Sequence, residues 1–261
     1  MTSTPSSYYL RHGDTRFEST IHAQGAWNPH EQHMAPVAGI LAHALEGFEA
    51  RPELRIARIS YEILGLIPDG EFDIHVSMLR AGRTIELVQA ELSAGGRVAV
   101  RATAWRLHTS DTAEIAGIVD ERMLGPESAG APVNLTQWPG GYIRSIEARA
   151  LPEHEAGRGR VWLRTPVPLL ASEPISDFVR LMGLVDTSNG IATRVKPGEG
   201  GYAFPNVDLQ IHLYRVPAGE WLGLENAVSF GTDGVGLTST VLHDSNGPFG
   251  RAEQILTLRK L

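Results

Sequence analysis

The chain has 261 residues, 42% of them hydrophobic and 20% charged, enough apolar material for one large domain or for two of about 110–130 residues each. A net charge of −7 argues against sequence-independent nucleic-acid binding, which needs a positive surface, and the lack of any cysteine excludes disulfides, thiolate metal sites and a cysteine nucleophile. The first nine residues lack the basic and apolar regions of a signal peptide and no apolar run approaches the ~18–20 residues of a membrane span, so a cytoplasmic protein without a membrane span is expected.

Residues Met1 to Pro29 are polar and studded with aromatics, and read as a short strand and turn. From Pro36 to Phe48, Val37, Ile40, Leu41, Ala44, Leu45 and Phe48 recur at helical spacing, with Pro36 suited to a first turn. The small residues Ala38, Gly39, Ala42 and Ala44 predict a helix packed closely on all sides. Alternating strands follow over residues 55–64, 71–79, 84–92 and 97–107, with turns at Asp69–Gly70, Ala81–Gly82–Arg83 and Ala94–Gly95–Gly96. Strands that meander after one buried helix indicate an antiparallel α+β unit. Residues 109–138 change character, and read as a linker with one short helix over Thr112 to Met123.

The pattern then repeats. Trp162 to Thr165 ends a strand, and Ile175, Phe178, Val179, Leu181, Met182 and Val185 mark a second helix, with Ser176 as N-cap and Asn189–Gly190 as its stop. Strands are predicted over 207–214, 221–230, 236–243 and 249–258, again joined by short turns. A shift of 150 positions carries Leu92 and Arg101–Ala102 onto Leu242 and Arg251–Ala252, Arg58–Ile59 onto Asp208–Leu209, and Ile63 onto Leu213. One offset shared by several strands is what duplication of a unit leaves behind. The division expected is an N-terminal domain over 1–110, a linker over 111–138 and a C-terminal domain over 139–261.

Common catalytic signatures are absent: there is no Gly-x-Ser-x-Gly elbow, no Ser-x-x-Lys and no nucleotide-binding glycine loop. His30–Glu31–Gln32–His33 has one residue too few between its histidines for the zinc motif, and no third ligand accompanies it, so no metal and no cofactor are expected. The duplication offers a sharper test, because function placed in one half shows as a polarity difference at matched positions. Asp208 matches Arg58, and Gln254 matches Ala104. An Asp and a Gln inside apolar strands are costly to bury unless they are satisfied; facing solvent is the alternative.

At these residues the chain resembles the double-hotdog acyl-CoA thioesterases, the type II thioesterase-like superfamily. Phe204 to Arg215 looks like the strand carrying that family's catalytic aspartate, and Asp244 to Gln254 like the hairpin ending in its catalytic glutamine. Arg58–Ile59–Ser60, Leu79 to Arg83, Ala90–Glu91–Leu92 and Arg101–Ala102 are similar to its N-terminal half. The resemblance implies two fused hotdog domains, each an antiparallel sheet wrapped around a central helix, with acyl-CoA as substrate. It implies a catalytic Asp208, Gln254 and hydroxyl holding one water, with Ser229 as the hydroxyl and Thr232 as its substitute. A thioester is electrophilic enough for a carboxylate-activated water to attack it directly. The N-terminus of the first helix, near Ala35–Pro36, would supply backbone donors for the carbonyl oxygen. His33, Ala35, Asn189 and Gly190 would line the substrate site. A non-catalytic protein that binds acyl-CoA or another lipid-like ligand is the alternative, and exposed strand edges leave a homo-oligomer open.

Overall fold

The computed structural model describes residues 6–130, 132–133, 135, 137–171, 173–196 and 201–261; Met1–Pro5, at the head of the opening segment, lies outside them. The first half runs β1 (Tyr9–Arg11), β2 (Arg16–Ser19), α1 (Met34–Gly47), β3 (Leu54–Ile63), β4 (Glu71–Arg80), β5 (Ile85–Ala94) and β6 (Arg97–His108). The second half runs α2 (Gly141–Ser145), β7 (Glu147–Ala150), β8 (Arg158–Arg164), α3 (Asp177–Val185), α4 (Ser188–Ile191), β9 (Tyr202–Ala203), β10 (Asp208–Leu213), β11 (Leu222–Phe230), β12 (Val235–Asp244), β13 (Gly247–Thr257) and β14 (Arg259–Lys260). Strands β1–β8 and β10–β13 form one antiparallel sheet in the order β1-β2-β4-β5-β6-β3-β10-β13-β12-β11-β8-β7, while β14 pairs with β9.

Read inward from either edge, the sheet repeats one topology: two strands, then the second, third and fourth strands after the helix, then the first of them at the centre. The ladders also repeat at the level of single residues. Ile59 faces Ala104 across β3 and β6, and Val88 faces Ala104 across β5 and β6. In the second half Ile211 faces Ala252 across β10 and β13, a register that sets Leu209 against Gln254, and Thr238 faces Gln254 across β12 and β13. Even the register shift after Leu92 recurs after Leu242. The 150-residue offset of the sequence is therefore a physical register. At the seam between β3 and β10, Ser60 faces Gln210, its own counterpart, so a pseudo-twofold axis passes between them.

Helix α1 is buried on nearly every side, as its small residues predict; Ala35, Val37, Ala38, Ile40, Leu41, Ala42 and Leu45 are fully covered. It crosses α3 at Gly39 and Gly183, where a Cβ built on Gly39 would lie 2.9 Å from the Gly183 Cα. The crossing sits on the same axis, so the helices are related by a shift of 144 positions, from 39 to 183, rather than by 150. Ser176 caps α3 through the Val179 N–H, as expected. Where α1 runs unbroken for 14 residues, the second helix departs after Val185. The bonds from Thr187 N–H to Leu184 O, Asn189 N–H to Asp186 O and Gly190 N–H to Thr187 O tighten it into a 3₁₀-like turn that runs into α4.

The helix expected over Thr112 to Met123 does not form. Only a 3₁₀ turn at Ala113–Ile115 is present, because Ile115, Ile118 and Val119 find no surface to pack on and stand exposed. The rest of the predicted linker lies along the second half. Met123 packs on Leu151 and Trp162, Asp120 pairs with Arg251, and Leu135 and Trp138 enter the core. Among the described residues no helix is long and apolar enough to cross a membrane.

The two crossing glycines are not equivalent in the space around them. Gly39→Val drives side-chain atoms into the α3 backbone and is expected to cost about 3 kcal/mol or more, as overpacking does. A Cβ on Gly183 sits 3.6 Å from the Gly39 Cα, an ordinary contact, so Gly183→Ala is expected to hold or gain up to ~1 kcal/mol from helix propensity. Urea unfolding of both variants measures the difference.

Candidate active site

The tightened turn after α3 presents Asp186, Thr187, Ser188 and Asn189 to the interior, all of them buried. Asp186 is 5% exposed. Its Oδ1 accepts two amide donors, Asn206 Nδ2 at 2.8 Å and Gln254 Nε2 at 2.9 Å. Gln254, fully buried on β13, cannot rotate freely, because its Oε1 accepts the Ser188 hydroxyl at 2.5 Å. Ser188 is held in turn through its carbonyl oxygen, which accepts Asn226 Nδ2 from β11 at 2.6 Å. Asn206 precedes β10 and is braced by its own Nδ2 donating to the Asp208 carbonyl oxygen. Asp186 is thus fixed by three segments distant in sequence.

The first half closes the site from the other side. His33 caps α1, its Nδ1 accepting the Ala35 N–H at 3.0 Å, and lies 3.5 Å from Asp186 Oδ2. Because Nδ1 is an acceptor, the ring proton belongs on Nε2. Burial lowers the His33 pKa to about 3, so the ring is neutral and the approach to Asp186 is no ion pair. The Tyr142 ring lies against the imidazole at 4.2 Å, and its hydroxyl bonds Thr187 Oγ1 at 2.6 Å. Burial pushes the Asp186 carboxyl up to about 6, against the opposing pull of the Asn206 and Gln254 amides. With Oδ1 occupied by those amides, Oδ2 is the oxygen left for chemistry.

Asp186, His33 and Asn206 line two adjoining cavities. One is an apolar recess walled by Trp27, Leu135, Trp138, Ile143 and Ile191. Trp27, Trp138 and Phe204 meet edge to face around it, with centroids 5.1–5.8 Å apart. The other is a groove of about 610 Å³ that runs outward past Gly65–Leu66–Ile67 to Arg259 and Lys260.

Four of the seven residues singled out from sequence come together here: Gln254, His33, Asn189 and Gly190. Ala35 is buried in the first turn of α1 with its amide on His33. Asp208 and Ser229 do not join them. The β10–β13 register sets Asp208 against Ile255, which is 41% exposed, so strand alternation turns Asp208 to the opposite face from Gln254. Its Oδ1 accepts the Ile255 N–H at 2.7 Å instead. Ser229 is exposed beside the buried Val228 for the same reason, and Thr232 lies exposed in the hairpin turn. On that strand the buried polar residue is Asn226. Between His30 and His33 the polar side chains are committed elsewhere: Glu31 accepts the Trp27 and Asn28 amides, and Gln32 donates to the Pro68 carbonyl.

Sequence reasoning missed Asp186, Asn206, Ser188 and Asn226. Asn206 was within its reach, since the same 150 shift matches it with Ile56. Asp186 was not, because the helices obey the shift of 144, which matches it with Ala42. Together the three residues Asp186, Asn206 and Gln254 stand where the first half has Ala42, Ile56 and Ala104, all buried and apolar.

Family models match both halves: that of the acyl-CoA thioesterase N-terminal domain over residues 23–107, and that of the C-terminal domain over residues 124–258. The chain belongs to the acyl-CoA thioesterase family and has its double-hotdog fold. Solved structures agree on the fold. A conserved hot dog fold protein from Alicyclobacillus acidocaldarius superposes with a TM-score of 0.76 at 13% identity, covering 98% of this chain and 97% of that one. The acyl-CoA thioesterase II TesB2 from Mycobacterium marinum gives 0.66 at 14%, covering 97% and 96%. A tesB protein from Mycobacterium avium subsp. paratuberculosis gives 0.64 at 16%, covering 96% of each chain. No curated protein matches the sequence.

A carboxyl raised from 3.8 to about 6 opposes folding in its ionised form. The cost is absent below about pH 4, grows between pH 4 and 6, and is complete above that range. Asp186→Asn removes the charge and keeps an oxygen for both amides. It is therefore expected to raise stability by up to about 3 kcal/mol at pH 8, with no gain at pH 4. Thermal melts of both proteins across this range measure the effect.

Proposed function

We propose that the protein hydrolyses acyl-CoA thioesters with a water activated by Asp186 and held by Asn206 and Gln254. One observation carries this reading: a buried carboxylate, raised toward neutrality, has one oxygen fixed by two amides and the other beside a cleft and a helix N-terminus. Asp186 Oδ2 takes the proton of the attacking water. The amide oxygen of Asn206 and the edge of Gln254 orient that water, and no covalent intermediate is needed because the thiolate leaves readily. The N-terminus of α1 carries the positive end of the helix dipole, which stabilises charge developing on the thioester oxygen. His33, neutral and capping that helix, fixes the approach of the N-terminus to Asp186. The acyl group enters the aromatic recess at Trp27 and Trp138, and the groove leading to Arg259 and Lys260 takes the phosphorylated CoA portion.

Release of free thiol from a panel of acyl-CoAs tests the reading. Asp186→Asn is expected to lower kcat by about 10²–10⁴-fold and Gln254→Ala by about 10²-fold. Asp208→Asn and Ser229→Ala are expected to retain nearly full activity, since both side chains lie on the far face of the sheet. Saturable acyl-CoA binding without thiol release at any chain length would instead favour a binding protein. Because Asp186 works ionised and sits near 6, kcat/KM is expected to rise with pH on a limb centred near pH 6. The limb should vanish from the residual rate of Asp186→Asn.

A further inference from the structure

The pseudo-twofold axis that builds the active site must generate a second cleft, at the C-terminal end of α1 and the N-terminal end of α3. That cleft exists, with a volume of about 330 Å³. About half of its lining residues have counterparts in the groove beside Asp186. Ile56 stands for Asn206, Phe178 for Met34, Leu213 for Ile63, and Val216 and Pro217 for Leu66 and Ile67. The hydrolytic groups are gone from this copy, replaced by Ala42, Ile56 and Ala104. Cations have been gained instead: Arg55 stands where the second half has Pro205, and Arg106 where it has Leu256.

The guanidinium groups are not fully used by the protein. Arg106 is 3% exposed; its Nη1 donates to the Phe48 carbonyl at 2.7 Å and its Nη2 lies 2.9 Å from Glu86 Oε2 in an ion pair. Its Nε has no hydrogen-bond partner among the described residues. Arg55 donates through Nη2 to the Tyr214 carbonyl at 3.1 Å, while its Nη1 is buried and without such a partner among the described residues. Buried donors of this kind normally have a partner. Arg51, the third cation, is occupied by Glu53 and Glu86. The one acid on the wall, Glu46, accepts the Ser176 hydroxyl at 2.8 and 3.0 Å. The remaining walls, Leu54, Ile56, Phe178, Leu213 and Val216, are apolar.

We propose that this second cleft is a non-catalytic site for an apolar chain with a carboxylate head, such as a fatty acid anion. The head group pairs with Arg55 and with the unpartnered Nε of Arg106, and the chain lies along the apolar wall. A guanidinium suits a carboxylate in geometry as well as charge. The assignment depends on the duplicated fold and the cations, and holds whether or not Asp186 hydrolyses a thioester.

Calorimetric titration with decanoate, kept below its micellar concentration, tests the proposal, with 1-decanol as the uncharged control. Saturable decanoate binding is expected, weakened about tenfold by Arg55→Gln, the loss of one charge-assisted contact. Val216→Trp, at a rim position that is 57% exposed, should weaken it as well by filling the mouth without disturbing the core. Both variants should retain the wild-type melting temperature and the wild-type rate on decanoyl-CoA. Coincident decanoate titrations for wild type and Arg55→Gln would place the anion in the Asp186 cleft alone and overturn the proposal. So would the absence of saturable binding, or 1-decanol binding as tightly as decanoate.

Discussion

Two bare helix faces meeting at Gly39 and Gly183 set the geometry on which everything else rests. With no side chain at either position, α1 and α3 lie backbone to backbone under one continuous sheet. The β3–β10 ladder fixes their rotation, because Ser60 must face Gln210. These constraints bring the N-terminus of α1 to the broken end of α3, and the N-terminus of α3 to the end of α1. A candidate active site made from both halves, and a second cleft related to it, are consequences of one symmetry.

What separates the two clefts is polarity in the core. The second half carries Asn226, Thr238 and Thr240 where the first half has Val76, Val88 and Ala90, in addition to Asp186, Asn206 and Gln254. Burial of an acid and several amides is costly unless each finds a partner. The chain Asn226–Ser188–Gln254–Asp186 supplies partners for the acid and for both ends of the Gln254 amide, while Asn226 Oδ1, Thr238 Oγ1 and Thr240 Oγ1 have no hydrogen-bond partner among the described residues. The 3₁₀-like turn between α3 and α4 is part of the same arrangement. It exposes the Ser188 carbonyl to Asn226 and turns Asp186 toward two amides, which a continuous helix like α1 would not do. Neutral His33 adds no compensating charge, so Asp186 retains the raised affinity for protons that burial gives it.

Comparison of the expected and observed sites shows what a strand pattern can carry. Gln254 was legible because its partner Ala104 follows the same offset and lies on strands with unbroken registers. Asp208 stands out in sequence as an acid among Val207, Leu209 and Ile211. Yet alternation leaves two faces, and nothing local says which is inner. Ser229 and Asn226 differ in the same way, three positions apart on one strand and therefore on opposite faces. Leu135 and Trp138, which the sequence pattern places in a linker, are walls of the aromatic recess because the chain doubles back over the second half.

By itself the sequence determined two α+β units, the two central helices α1 and α3, the strands β3–β6 and β10–β13, and the offset of 150 between the two halves of the sheet, and it singled out Gln254. These follow from periodicity, turn residues and duplication, which are local or translational properties of the chain. Only the tertiary structure decided that Asp186 is the buried carboxyl held between Asn206 and Gln254. The six residues by which the helix shift of 144 falls short of 150 hide its match to Ala42, and its role depends on amides from β13 and the segment before β10, 68 and 20 positions away. Which carboxylate is buried, fixed and raised is a property of packing, and packing is settled by the crossing of two helices and the face each strand turns inward.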